Sequence, residues 1–253
     1  MAALPVTPMP TPPPEAPPLS EGARIVNTFI APSKTFTDLR RNASWWAPWL
    51  LISVFSLAFV FVMNKQIGFE QISKNSISQS SRAEQFEKLP ADQQAKQIQI
   101  SAAFARYISY SIPVVNLIVF VVIAAVLMAA FNFAAGASVP FKTSMAIVIY
   151  GSLPGIIGAV LGIVSMFAGV DPAGFNAQNP VATNPAYFMD PAGNKFLYGM
   201  ASALDVFIIW NLVLMGIGFA CNSKVKRTTS IAIVAGLYLL YKLLGAGIAG
   251  ALS

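Results

Sequence analysis

The sequence predicts an all-α fold, a polytopic membrane bundle of five transmembrane helices. Three observations lead there. Of the 253 residues, 56% are hydrophobic and 10% are charged, whereas a soluble domain carries about 25% charged residues. The mean hydropathy is +0.64. The apolar residues fall in long blocks, and five of them meet or approach the roughly 20 residues that a helix needs to cross a hydrocarbon core of about 30 Å. Continuous apolar runs also exclude a β-barrel, whose strands alternate lipid-facing and lumen-facing positions.

Taken in chain order, residues 1–20 hold eight prolines, from Pro5 to Pro18. They lack the basic start and apolar stretch of a secretory signal. A segment so rich in proline reads as an extended, disordered tail over residues 1–23. The membrane domain is expected over residues 24–253. Its first span runs from Trp46 to Met63, opened by Trp45, Trp46 and Trp49, because tryptophan collects at membrane interfaces. Pro48 sits in the first turn, where proline costs little. Residues 64–107 are polar, rich in Gln and Ser, and read as an insertion of one or two amphipathic helices, with a helix start at Pro90 followed by Asp92. The second span covers Ile108 to Phe133 and the third Ser144 to Ala168. An irregular loop follows at 169–195, broken by Pro172, Pro180, Pro185 and Pro191. The fourth span runs from Phe196 to Cys221 and the fifth from Ile231 to Leu252.

Five spans put the two termini on opposite sides. Eight basic residues fall on one side: Arg24, Lys34, Arg40, Arg41, Lys142, and the turn Lys224, Lys226 and Arg227. The other side holds seven, six of them spread over the long polar insertion. Short-loop density therefore predicts an inner N-terminus and an outer Ser253, in a bacterial cytoplasmic membrane. The net charge of +6 reads as topology and contact with the lipid bilayer, not as nucleic-acid binding.

Chemistry is sparse. There is no histidine and a single cysteine, Cys221. No HExxH, CxxC, GxSxG, Walker loop or dinucleotide fingerprint occurs. No catalytic residue, metal site or cofactor is expected, and the chain is not expected to be an enzyme. Inside the spans two features stand out. Gly151, Gly155, Gly158, Gly162 and Ser165 form a small-residue stripe on one helix face, and GSLPG and GAVLG are GxxxG patterns suited to close helix packing. Asp205 and Lys242 each lie well inside an apolar span, where a charge costs about 2.5–3.5 kcal/mol even on a lenient scale. Asp205 is sixteen residues from Cys221 and Lys242 twelve from Ser230, which places them about 24 Å and about 18 Å along neighbouring antiparallel helices. A buried Asp205–Lys242 ion pair is predicted. It would either fix helix register, handle an ion or proton, or meet an anionic headgroup through Lys242. Asn116, Asn132 and Asn211 are expected to bond between helices, and Cys221 to be a packed thiol.

Three stretches carry a family likeness. The first is Pro32-Ser33-Lys34-Thr35-Phe36 followed by Trp45, Trp46 and Pro48. The second is Tyr150-Gly151-Ser152-Leu153-Pro154. The third is Leu204-Asp205-Val206-Phe207 with Trp210, then Gly216 and Gly218 and the basic turn. In this order the chain resembles the Yip family, the Ypt/Rab-interacting five-span membrane proteins, in its prokaryotic branch, over residues 25–250. The resemblance implies an inner N-terminus and an outer C-terminus. Eukaryotic members take part in vesicle traffic, bind prenylated Rab GTPases and one another, and influence membrane curvature. They often carry an Asp-Leu-Tyr-Gly-Pro-type tract before the first span. Its absence here weighs against a Rab-type GTPase partner. The expectation is a non-enzymatic integral membrane protein that organises the membrane or partner proteins, other membrane proteins or further copies of itself. The alternative is a small transporter or channel using the Asp205–Lys242 pair.

Overall fold

The computed structural model describes residues 17–80 and 82–251. Residues 1–16 of the expected proline tail lie outside the described residues. Helix begins inside the segment read as tail. Ser20 Oγ accepts from Ala23 N at 3.2 Å and opens α1, Glu21–Ile30, as a serine N-cap does. After Ala31 the chain turns into α2, Pro32–Asp38, with the proline at a position that has no helical donor to lose. These two helices form a hairpin ahead of the first span.

The spans follow. α3 is Trp46–Gln66, and Gly68, at φ 85°, lets the chain swing into α4, Phe69–Ser78. The polar insertion holds three helices where one or two were expected: α4, α5 at Ala83–Glu87, and α6 at Ala91–Tyr110. Pro113 has no N–H to continue α6, so α7, Ile112–Ala129, starts afresh and ends in a π-helical turn, Ala130–Ala134. The third span is two helices, α8 (Phe141–Gly151) and α9 (Gly155–Phe167), interrupted at Pro154. The loop after it carries one short 3-10 turn, Pro185–Phe188. α10 is Lys195–Ser202, α11 Val206–Asn222 and α12 Arg227–Ala251.

Among the described residues, four helical segments are long and apolar enough to cross a membrane: Trp46–Gln66, Ile112–Ala134, Phe141–Phe167 and Arg227–Ala251. The fourth predicted span is not one continuous helix. It is the pair α10 and α11, bent by 55°, and counting it as one span makes five. The break falls where Asp205 turns its side chain back onto the backbone. Its Oδ1 accepts from Phe207 N at 2.9 Å and Ile208 N at 3.1 Å, so a new helix starts there.

α8 is the centre of the bundle, buried from Thr143 to Gly151. Around it pack α7, α11 and the start of the hairpin, while α3 lies along α9 and α12 along α11. Tyr150, Phe131, Phe219 and Phe36 fill the core, with Phe131 and Phe219 stacked at 4.3 Å between centroids. α11 can approach its neighbours because it carries glycines at the contacts. A Cβ at Gly216 would stand 2.6 Å from Ile231, and one at Gly218 would stand 2.5 Å from Ile147 and 3.0 Å from Phe36. The bundle thus has a basic end, with the hairpin and the Lys224–Arg227 turn, and a loop end, where the insertion and the 169–194 loop meet.

Candidate functional site

At the basic end the hairpin is held by a buried polar cluster. Arg24 is 2% exposed. Its Nη2 lies 2.7 Å and its Nε 2.8 Å from Asp38 Oδ2, and its Nη1 is 3.4 Å from Glu21. Tyr150, at the core of the bundle, donates from its hydroxyl to Glu21 Oε2 at 2.8 Å. Thr28 and Thr35 hydroxyls both donate to the Arg24 carbonyl at 2.8 Å, joining α1 to α2. Burial works to lower the Arg24 pKa, but the bond and charge of Asp38 outweigh it and hold the guanidinium above its ordinary value. Arg24 therefore stays charged across the neutral range.

α2 and the turn after it are tied to α11 and α12. Asn222 Nδ2 donates to Phe36 O at 2.8 Å, Arg227 to Ser33 Oγ at 2.9 Å, and Arg40 to the Cys221 carbonyl. Phe29 meets Trp210 edge-on at 5.8 Å between centroids. Lys224 and Lys226 are exposed and border, with Arg40 and Asn222, a hollow of about 740 Å³. Cys221 is a half-buried free thiol.

The small-residue stripe does not serve one neighbour. A Cβ at Gly151 would stand 2.7 Å from Met215 and one at Gly158 3.2 Å from Phe207, both on α11, whereas one at Gly162 would stand 2.6 Å from Phe59 on α3. Gly155 has open space around it, and Ser165 Oγ donates back to Gly162 O at 2.8 Å. Gly151 and Gly158 meet α11 from either side of the interruption at Pro154, and the partner changes only within α9, between Gly158 and Gly162. The carbonyl freed at Tyr150 accepts from Leu153 N at 3.2 Å. Asn211, with its amide oriented by the acceptors around it, donates to Gly151 O and Phe207 O, 3.1 Å each. Asn132 bonds locally, to Val139 in the following connection, not across to another helix.

The predicted Asp205–Lys242 contact is not made. Asp205 caps α11 and its Oδ2 accepts from Thr183 Oγ1 and, at 3.3 Å, from Asn184 Nδ2. Four donors, two from the start of α11 and two from the 169–194 loop, thus satisfy the carboxylate. Lys242 Nζ instead donates to Ser202 Oγ at 3.1 Å and lies 6.0 Å from the Tyr238 ring centroid. Only along unbroken helices would the two residues come to neighbouring depths. The bend after Ser202 removes that register, and the loop supplies Asp205 with nearer partners. Lys242 instead faces a large cavity at the loop end, about 1060 Å³.

Glu21, Asp38 and the anchoring role of Arg24 escaped sequence reading. Glu21 fell within the apparent tail, and Arg24 counted only as a topology charge. A signal was present: an arginine followed by the apolar residues Ile25 and Phe29 and then by an aspartate, Asp38, before the first span. Among the described residues no group of three or more His, Cys, Asp or Glu side chains gathers as a metal would need.

Set beside known proteins, the chain matches the family model described as the Yip1 domain over residues 26–249. No curated protein and no solved structure matches it.

Proposed function

The chain belongs to the Yip1 domain family, and on that premise we propose that it is a non-enzymatic membrane protein that organises the bilayer around it through the α1–α2 hairpin. The observation that carries this reading is a helix pair anchored in protein on one side and bare on the other. Arg24 and Asp38 fasten it inside, while Val26 and Ile30 are 56% and 75% exposed. Phe29 reaches Trp210, twelve residues from the end of α11 at Asn222, or about 18 Å along it. A short amphipathic helix set into one leaflet only, with its apolar side chains in the acyl boundary, spreads that leaflet and favours curved bilayers. The basic end would face the cytoplasm of a bacterium, its partners being lipid and neighbouring membrane proteins.

The test uses the full chain reconstituted into vesicles sorted by diameter. Wild-type protein is expected to enrich in small vesicles. The double variant Val26→Glu/Ile30→Glu, altered only at exposed positions, should lose that enrichment with its helix content intact. Equal partition of wild type and variant would overturn the proposal. The transport alternative finds less support, because Asp205 already accepts from four donors and none of them is Lys242.

A further inference from the structure

The cavity at the loop end has a chemistry of its own. Its walls come from α4, α6, α10 and α12. Among the described residues, the charged side chains that line it are Lys195 and Lys242, with no carboxylate in the lining. The Lys195 ammonium is already held by the carbonyls of Gln79, at 2.9 Å, and Pro191. Lys242 has given one hydrogen bond, to Ser202 Oγ, of the three an ammonium can donate. The hydroxyl of Tyr198, which accepts from Asn176 at 3.1 Å, also lines the cavity and keeps its own hydrogen to donate. The rim is apolar and open, with Ile100, Phe104 and Tyr241 at 61%, 68% and 69% exposure. α12 is one of the candidate spans, so the α12 side of the mouth, at Tyr241, would lie against hydrocarbon. A cation set beneath an apolar mouth suits a molecule with an anionic head and an acyl chain.

We propose that this cavity binds an anionic phospholipid of the surrounding bilayer, its phosphate on Lys242 and Tyr198 and one chain leaving past Phe104 and Tyr241. Lys242 lies nine residues inside the end of α12 at Ala251, about 14 Å down the helix, so the head would sit deeper than that of a bulk lipid. This reading is independent of the hairpin, which lies at the other end.

The test titrates the purified full chain in non-ionic detergent with phosphatidylglycerol or phosphatidylcholine of the same chains and counts bound lipid by native mass spectrometry. Phosphatidylglycerol should win, and Lys242→Gln should weaken the tightest lipid by about tenfold, as loss of one charge-assisted hydrogen bond predicts. Gly245→Leu should do the same by filling the cavity, since a Cβ at Gly245 meets nothing within 4 Å. It decides the matter if the lysine variant does not fold. Lys226→Gln, at the basic end, should leave that lipid in place. Equal binding of the two lipids, or binding unmoved by both cavity variants, would overturn the proposal. Displacement of the lipid by millimolar inorganic phosphate would overturn it in favour of a soluble anion.

Discussion

The buried Arg24–Asp38 pair and the half-buried Asp205 behave differently, and substitution should separate them. Arg24 and Asp38 depend on one another. Removing one partner of a buried pair leaves the other uncompensated, at a cost of about 3–5 kcal/mol, whereas replacing both with apolar groups is often neutral. Arg24→Met and Asp38→Leu are each expected to lower thermal stability in detergent sharply, and the double variant to recover most of it. Additive losses would show that the two do not act as a unit. Asp205 depends instead on its backbone. Asparagine caps a helix about as well as aspartate, while alanine forfeits roughly 0.5–2 kcal/mol. Asp205→Asn should therefore be well tolerated and Asp205→Ala should not, with the alanine variant also freeing Thr183 and Asn184. Ion or solute flux in vesicles that disappears in Asp205→Asn would return the residue to a transport role. The charge of Asp205 was legible in the sequence, but its partners were not. Its two side-chain partners, Thr183 and Asn184, come from a loop 22 and 21 residues upstream whose path no periodicity fixes.

At the scale of elements, hydropathy located the apolar blocks because a span is long enough for a window to register it. It could not see that proline and aspartate interrupt two of them, since composition is unchanged across a break. The hairpin escaped for the opposite reason. α1 is ten residues long, and its apolar side chains are too few to stand out beside the spans. What seats the hairpin is a glycine on another element. At Gly218 a Cβ would fall 2.5 Å from Ile147 and 3.0 Å from Phe36, so Gly218→Leu should push α2 off α11. The expected signs are faster hydrogen exchange through residues 24–38 and proteolysis near Ala31, together with a loosened α8–α11 contact at Ile147. Gly236, on α12, has nothing within 4 Å of a Cβ, and Gly236→Ala should change neither. Unaltered exchange in the Gly218 variant would mean that the polar cluster alone retains the hairpin.

For the whole molecule, the open question is whether the bent pair α10–α11 crosses the membrane or turns back within it. α11 has 17 residues, about 25 Å of helix, a little short of the hydrocarbon core alone. Its contacts favour crossing. As residue numbers rise through the third span they fall along α11: Ile147 packs on Gly218, Gly151 on Met215 and Gly158 on Phe207. That is an antiparallel helix running alongside most of a span, from the loop end to the basic end, where Asn222 bonds to Phe36. A segment that turned back at mid-depth would lose these partners on one side of the turn. With Cys221 replaced by serine, single cysteines at Asp190 and Lys226 are thus expected to react with an impermeant thiol reagent from opposite faces of intact vesicles. The basic turn at Lys226 is expected to be the one facing inward, as the density of short-loop lysine and arginine predicts. Reaction of both from one face would make the pair re-entrant, reduce the bundle to four crossings, and bring the end of α12 to the same side as the hairpin.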